Sequence, residues 1–191
     1  MDQCSFIEEK VKLREVKGVI FDFDGTIVDL SVDWLGLKND LRETFSISDA
    51  MGINHMLGMI THDSKNQRDI RRAFSFVEQY ELQQKEQSLV HGDIVRCIKS
   101  LYSVNIRLAV FSNNMRKTVQ YFLKREHIYH LFHPIVTKQD VLFFKPHPEG
   151  LEKIISAWGI DKRSLLYIGN DANDKICGER FGIPTLIITK T

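Results

Sequence analysis

The chain has 191 residues, 43% of them hydrophobic and 27% charged, with a formal net charge of +1. This size and balance suit one large globular domain or a core carrying a small insert. So small a net charge offers no electrostatic footprint for nucleic acid or a membrane surface, and neither is expected as a partner.

The first ten residues, Met1 to Lys10, lack the basic start and apolar core of a signal peptide. No apolar run approaches membrane-spanning length, so a cytoplasmic address is expected. Cys4, Cys97 and Cys177 are far apart and odd in number, which predicts reduced, partly buried thiols and no metal site. Before Lys17 charge and apolarity alternate without a clear period, and the segment reads as a short lead-in strand or a frayed terminus.

Val19-Ile-Phe-Asp-Phe-Asp-Gly-Thr-Ile27 follows. Three β-formers run into two carboxylates one residue apart, and Gly25 then allows a turn. The run predicts a buried parallel strand whose carboxyl end opens into a crevice. Residues two apart on a strand face the same side, so Asp22 and Asp24 would share one small volume. Two negative charges that close call for a cation, and Mg²⁺ prefers such hard oxygen ligands. The ordinary alternative is a pair of solvated turn aspartates.

After Asp29 the pattern becomes helical. Trp34, Leu35, Leu37, Leu41 and Phe45 recur at helical spacing, a second helix is expected over 50–60, and a third from Asn66 to about Gln87 with Ile70, Phe74, Val77 and Tyr80 on one face. Arg68, Arg71 and Arg72 read as a solvated face, and His55 and His62 as surface or satisfied helical side chains. A parallel sheet needs another strand soon after its first helix, and none comes. Residues 30–88 are therefore read as a small helical insert, with 1–29 and 89–191 forming the core.

Helix and strand then alternate: a helix over 94–101, a strand over 105–112, a helix over 114–126, a strand over 132–136, a helix over 148–158, a strand over 165–168, a helix over 174–181 ended by Gly182, and a strand over 185–189. The fold class expected is α/β, a doubly wound parallel sheet with a Rossmann-like core. Three strand ends carry further chemistry. Ser112-Asn113-Asn114 offers a hydroxyl and backbone N–H groups at a helix start, which suits phosphate, although Ser and Asn are also routine caps. Lys145-Pro-His-Pro-Glu-Gly150 offers an ammonium group pinned beside proline. Gly169-Asn-Asp-Ala-Asn-Asp174 adds two acids in a tight loop after a buried strand.

Phe21 to Thr26 resembles the DxDGT signature of the haloacid dehalogenase-like (HAD) phosphatase superfamily. Ser112 resembles its second motif, and Lys145 to Gly150 the KPxPEG form of the third, found in cap-bearing enzymes related to phosphoglycolate phosphatase. The fourth departs from the commoner GDxxxD. One alignment gives Asn170 the first acid position; the other gives it to Asp171, which is preferred here as direct ligand with Asp174 in support. An insert between the first and second motifs resembles the helical cap of the first subfamily.

The resemblance implies a Mg²⁺-dependent phosphatase for a small phosphorylated metabolite. Asp22 would attack phosphorus, Asp24 would act as general acid and base, and Lys145 would offset charge. The phosphate-binding set is Gly25, Thr26, Ser112, Asn113 and Lys145. The metal set is drawn from Asp22, Asp24 (through its backbone carbonyl), Asn170, Asp171 and Asp174. A sugar-phosphate mutase shares the first half-reaction, and a non-catalytic phosphate- or partner-binding role is the rival from another class.

Overall fold

The computed structural model describes residues 2–47, 52–63 and 66–188. Along the chain run α1 (Gln3–Leu13), β1 (Gly18–Phe21), β2 (Val28–Asp29), α2 (Trp34–Phe45), α3 (Ile53–Asp63), α4 (Gln67–Gln83) and β3 (Leu89–Val90). The rest comprises α5 (Gly92–Ser103), β4 (Arg107–Phe111), α6 (Arg116–Arg125), β5 (Phe132–Val136), α7 (Glu149–Trp158), β6 (Leu165–Gly169), α8 (Ala172–Phe181) and β7 (Thr185–Ile187). Among the described residues no helix is long and apolar enough to cross a membrane.

Five strands form a parallel sheet in the order β5-β4-β1-β6-β7. The chain winds outward from β1 through β4 to β5, then returns to the other side of β1 for β6 and β7. The reversal lies between β1 and β6, and in such sheets a crevice opens beyond the strand ends at that point. Period-two alternation supplies both faces. Val19, Phe21, Leu108, Val110, Leu166 and Ile168 enter one core cluster with residues of α1, α5 and α6. Ile20, Ala109, Phe111, Leu165 and Tyr167 enter the other, against α7 and α8.

The expected doubly wound α/β fold is present. One element differs: the segment before Lys17 is a helix, capped by the Asp2 side chain on the Ser5 N–H, with Ile7 and Val11 buried. Its apolar side rests on α5. Three helices occupy the span after β2, with α4 ending four residues before Gln87 and a short 3₁₀ turn following it. The start of the second expected helix and the end of the last strand, at 50 and 189, lie outside the described residues.

Leu37, Leu41, Leu57, Ile60, Ala73 and Val77 of α2, α3 and α4 form a third cluster, which also takes in Met115 at the start of α6. The two segments joining these helices to the sheet run side by side as antiparallel β2 and β3, and the Ser31 N–H donates to Ser88 Oγ at 3.0 Å.

Gly150, in the first turn of α7, is buried because the helix lies directly on the Phe111 ring, and a Cβ there would collide with ring carbons. Gly150→Ala should cost about 1–3 kcal/mol of stability through this overpacking. A lowered urea midpoint is the expected readout, and an unchanged midpoint would mean that the ring has room to move.

Candidate active site

β1 hands its ladder directly to the site, for the Asp22 N–H donates to the Ile168 carbonyl at 2.8 Å. The chain then folds over itself, with the Ile27 and Val28 N–H groups donating to the Phe23 carbonyl and the Gly25 N–H to the Val28 carbonyl. Gly25 sits at φ +82°, a region L side chains avoid, and a Cβ there would also collide with the Asn170 amide. Only glycine lets the two loops approach so closely. Asp22 is 4% exposed, and its Oδ2 lies 3.2 Å from the Thr26 hydroxyl that donates to it. Asp24 is less buried, and its Oδ1 accepts from the Leu30 N–H at 3.0 Å.

Lys145 stands between two carboxylates. Its Nζ donates to Asp22 Oδ1 at 2.5 Å and to Asp174 Oδ1 at 2.7 Å, with all three groups buried. Asn113 holds the Lys145 backbone from both sides, accepting from its N–H at 3.0 Å and donating to its carbonyl at 3.3 Å. Tyr167, buried on β6, donates its hydroxyl to Asp174 Oδ1 at 2.5 Å and lies 3.2 Å from Lys145 Nζ. Burial works against the Lys145 charge, but Asp22 and Asp174 together raise its pKa and keep it an ammonium. Burial also opposes ionisation of Asp174; Lys145, Tyr167 and the Asn170 N–H outweigh it and hold that carboxyl below its usual range. Asp22 fares differently. Burial first and then the Asp174 charge push it up to about 7, against the pull of Lys145. One ammonium serves two buried carboxylates, and the site is short of positive charge.

The structure separates Asn170, Asp171 and Asp174. Asp171 is exposed and caps α8: its Oδ1 accepts from the Asp174 N–H at 3.0 Å and its Oδ2 from Asn173 at 3.1 Å. Asp174 spends Oδ1 on Lys145 and Tyr167 and Oδ2 on the Asn170 and Asp171 N–H groups, which uses its acceptor capacity. Asn170 is the residue brought to Asp22. One end of its side-chain amide lies 3.1 Å from the Asp24 carbonyl oxygen and 3.2 Å from Asp22 Oδ2. Asp171, expected as direct ligand, lines the same crevice with its carboxylate engaged at the helix start, while the Asn170 amide is the group that reaches Asp22.

Turned with nitrogen inward, the Asn170 amide donates to both oxygens. Turned with oxygen inward, it brings a third oxygen to within 3.1 and 3.2 Å of the other two, close to the separation of adjacent ligands at about 2.0–2.1 Å from Mg²⁺. Among the described residues no three His, Cys, Asp or Glu side chains form a metal cage. A carboxylate, a carbonyl and an amide still fit a small hard cation that keeps several waters.

These groups open on a crevice of about 520 Å³, lined by Asp22, Asp24, Asn113, Asn114, Lys145 and Asn170 on the sheet side and by Trp34, Ile53, Asn54 and His55 opposite. Ser112 and Thr26 lie behind this lining. The Ser112 hydroxyl donates to Asn114 Oδ1 at 2.7 Å and accepts from the Asn114 N–H at 3.0 Å. Arg68, Arg71 and Arg72 are exposed on α4 and are not among the lining residues, whereas His55 is. His62 stacks on Phe143, 4.9 Å between centroids.

Three buried polar residues at or near the site escaped the sequence reading. Tyr167 could have been suspected, since a phenol in an aliphatic buried strand needs a partner. Glu81, on α4, accepts from Asn114 Nδ2 at 3.2 Å and the Met115 N–H at 2.9 Å. Lys138, after β5, also lines the crevice.

Comparison with known proteins bears on the family and the fold. The chain is 26% identical over 187 residues to "Pyrophosphatase PpaX" of Halalkalibacterium halodurans, covering 91% of this chain and 84% of that protein. A haloacid dehalogenase-like hydrolase structure from Bacteroides fragilis superposes with a TM-score of 0.65 at 23% identity, covering 89% and 86% of the two chains. A predicted phosphoglycolate phosphatase from Haemophilus somnus superposes at 0.63 with 21% identity, covering 91% and 85%. The family model for haloacid dehalogenase-like hydrolases matches residues 19–188, from the strand that delivers Asp22 to the last strand of the sheet, and the chain belongs to that family.

Proposed function

We propose that the chain is a Mg²⁺-dependent phosphatase acting on a small phosphorylated metabolite through an aspartyl-phosphate intermediate on Asp22. The observation that carries this reading is the Asp22 carboxylate, buried at the sheet's reversal point, bound to Lys145 and opening on the crevice. The names of the relatives, a pyrophosphatase and a phosphoglycolate phosphatase, support phosphate chemistry on compact substrates.

Asp22 is the nucleophile: its oxygen forms a bond to phosphorus as the ester oxygen departs. Asp24 gives the departing oxygen a proton and then takes one from the water that releases phosphate. Lys145 offsets negative charge beside Asp22, and Asn113 fixes the loop that carries it. Asn113 and the Asn114 side chain, which line the crevice, receive phosphoryl oxygens, with Ser112 behind them. Asp22, the Asp24 carbonyl and Asn170 would hold Mg²⁺, with Asp174 in support through Lys145. When bound, the ion supplies the positive charge that a phosphoryl group and two buried carboxylates lack. Residues 30–88 serve as a cap over a core of 1–29 and 89–191, closing the crevice with Trp34, Ile53, Asn54 and His55.

Asp22→Asn keeps the shape and removes the nucleophile, so turnover of a phosphomonoester panel should vanish while circular dichroism stays unchanged. Variant rates close to wild type would refute the assignment. Metal titration separates the loop residues: Asn170→Ala should raise the Mg²⁺ concentration for half activity more than Asp171→Ala. Asp171→Ala should instead lose about 0.5–2 kcal/mol of stability with its cap. The reverse order in the titration would make Asp171 the ligand.

Asp24 is tested by leaving group. An alkoxide needs protonation to leave and p-nitrophenolate does not, and a positioned acid typically contributes about a hundredfold or more. Asp24→Asn should slow aspartyl-phosphate formation far more for an alkyl phosphate than for p-nitrophenyl phosphate in rapid-quench experiments. Equal slowing would leave Asp24 with no role as an acid.

A further inference from the structure

One buried charge on the crevice wall has no part in the reaction above. Lys138 lies in the turn after β5, 2% exposed, with its N–H donating to the Asn114 carbonyl at 3.3 Å. It lines the same crevice as Asp22 and Lys145. Among the described residues its ammonium makes no hydrogen bond and no ion pair within 4.0 Å. Its Nζ stands over the Phe144 ring, 5.6 Å from the centroid.

An ammonium taken from water without acceptors is costly. Burial accordingly pushes Lys138 down to about 8, although the charge of Glu81 pulls the other way. Glu81 compensates only at a distance: it forms no ion pair with Lys138 within 4.0 Å, and its two oxygens are turned to Asn114 and the Met115 N–H. The other lysine of the crevice, Lys145, is committed to Asp22 and Asp174. Lys138 therefore offers three N–H donors and an incompletely balanced charge to whatever fills the crevice.

Resting on the phosphatase reading, we propose that Lys138 recognises a second, non-transferred anionic group of the substrate, a phosphate or a carboxylate, so that preferred substrates are compact and anionic at both ends. A charge-assisted hydrogen bond to such a group restores what burial took from the ammonium. An ester with a neutral tail leaves the donors unmet, and sites built around a buried polar group reject ligands that lack its partner.

The test compares wild type with Lys138→Met on matched probes in the presence of Mg²⁺. 2-Phosphoglycolate and 2-hydroxyethyl phosphate differ in carrying a carboxylate or a neutral hydroxymethyl group; pyrophosphate presents a second phosphate; p-nitrophenyl phosphate carries an uncharged tail. Wild type should favour 2-phosphoglycolate over 2-hydroxyethyl phosphate by about tenfold or more in kcat/KM, or show a KM for pyrophosphate that rises by about tenfold or more in the variant. Lys138→Met should lose this advantage mainly through KM, and the probe affected tells carboxylate from phosphate.

An equal loss on all four probes would reduce Lys138 to a structural role and overturn the proposal. So would a variant that keeps the wild-type preference. If the variant fails to fold, wild type alone decides: comparable kcat/KM for the carboxylate and hydroxymethyl esters, with no tighter inhibition by methylenediphosphonate than by methylphosphonate, overturns it. Wild type inactive on every probe would instead refute the underlying phosphatase reading.

Discussion

Two buried carboxylates share one lysine, and the arrangement around the crevice follows from that shortage of positive charge. Asp22 arrives from the end of β1 and Asp174 from the first turn of α8, and the two would repel each other across the gap. Lys145 sits between them at 2.5 and 2.7 Å. Much of the surrounding polar structure serves this contact. Asn113 clamps the lysine backbone, Tyr167 binds Asp174 from the strand floor, and the start of α8 fills the remaining acceptors of Asp174 with backbone N–H groups. The apolar strands below make the arrangement rigid, because residues of β1, β4 and β6 supply both core faces.

The sheet and the convergence of Asp22 and Lys145 on one crevice were legible because both rest on local signals. An apolar run followed by Asp22-Phe-Asp-Gly, and a lysine held beside proline, say where they belong without knowledge of their neighbours. What was not legible depends on competition between roles. Asp171 begins a helix three residues before Asp174, and the two form a reciprocal cap. Read as charge, Asp171 is a candidate ligand; read as a cap, its carboxylate serves the helix start. The first helix was obscured by charges scattered around Ile7 and Val11, and its partner α5 lies far along the chain. On α4 the face read from the sequence is Ile70, Phe74, Val77 and Tyr80, of which Val77 is fully buried. The fully buried row is Ala73, Val77 and Glu81, spaced four apart. A glutamate on the inner face is unintelligible until Asn114 and the Met115 N–H are seen beneath it.

Glu81 joins the helices after β2 to the strand-end loop that contains Ser112, Asn113 and Asn114. Met115 buries its side chain in the cluster of those helices while its backbone N–H binds Glu81. The loop of Ser112, Asn113 and Asn114 is thus held by the sheet through Ser112, whose N–H donates to the Val136 carbonyl, and by α4 from above. Glu81 is itself raised in pKa by burial, with Lys138 opposing. These two charges lie in separate parts of the sequence, and neither resembles a motif.

The pairing of β2 with β3 bears on how the chain finds this structure. β1 and β4 are neighbours in the sheet, yet the helices α2, α3 and α4 are threaded between them. Joining two strands across so long a stretch carries an entropic loop-closure penalty that grows with the logarithm of its length. Where Val28 meets Val90 and Asp29 meets Leu89, the stretch is closed at its neck. Once those four residues have met, the ends of the excursion lie one strand spacing apart, and the remaining chain from β1 to β4 behaves as if the helices had been spliced out. The neck converts a distant encounter into a nearly local one, lowering the effective contact order of the central sheet.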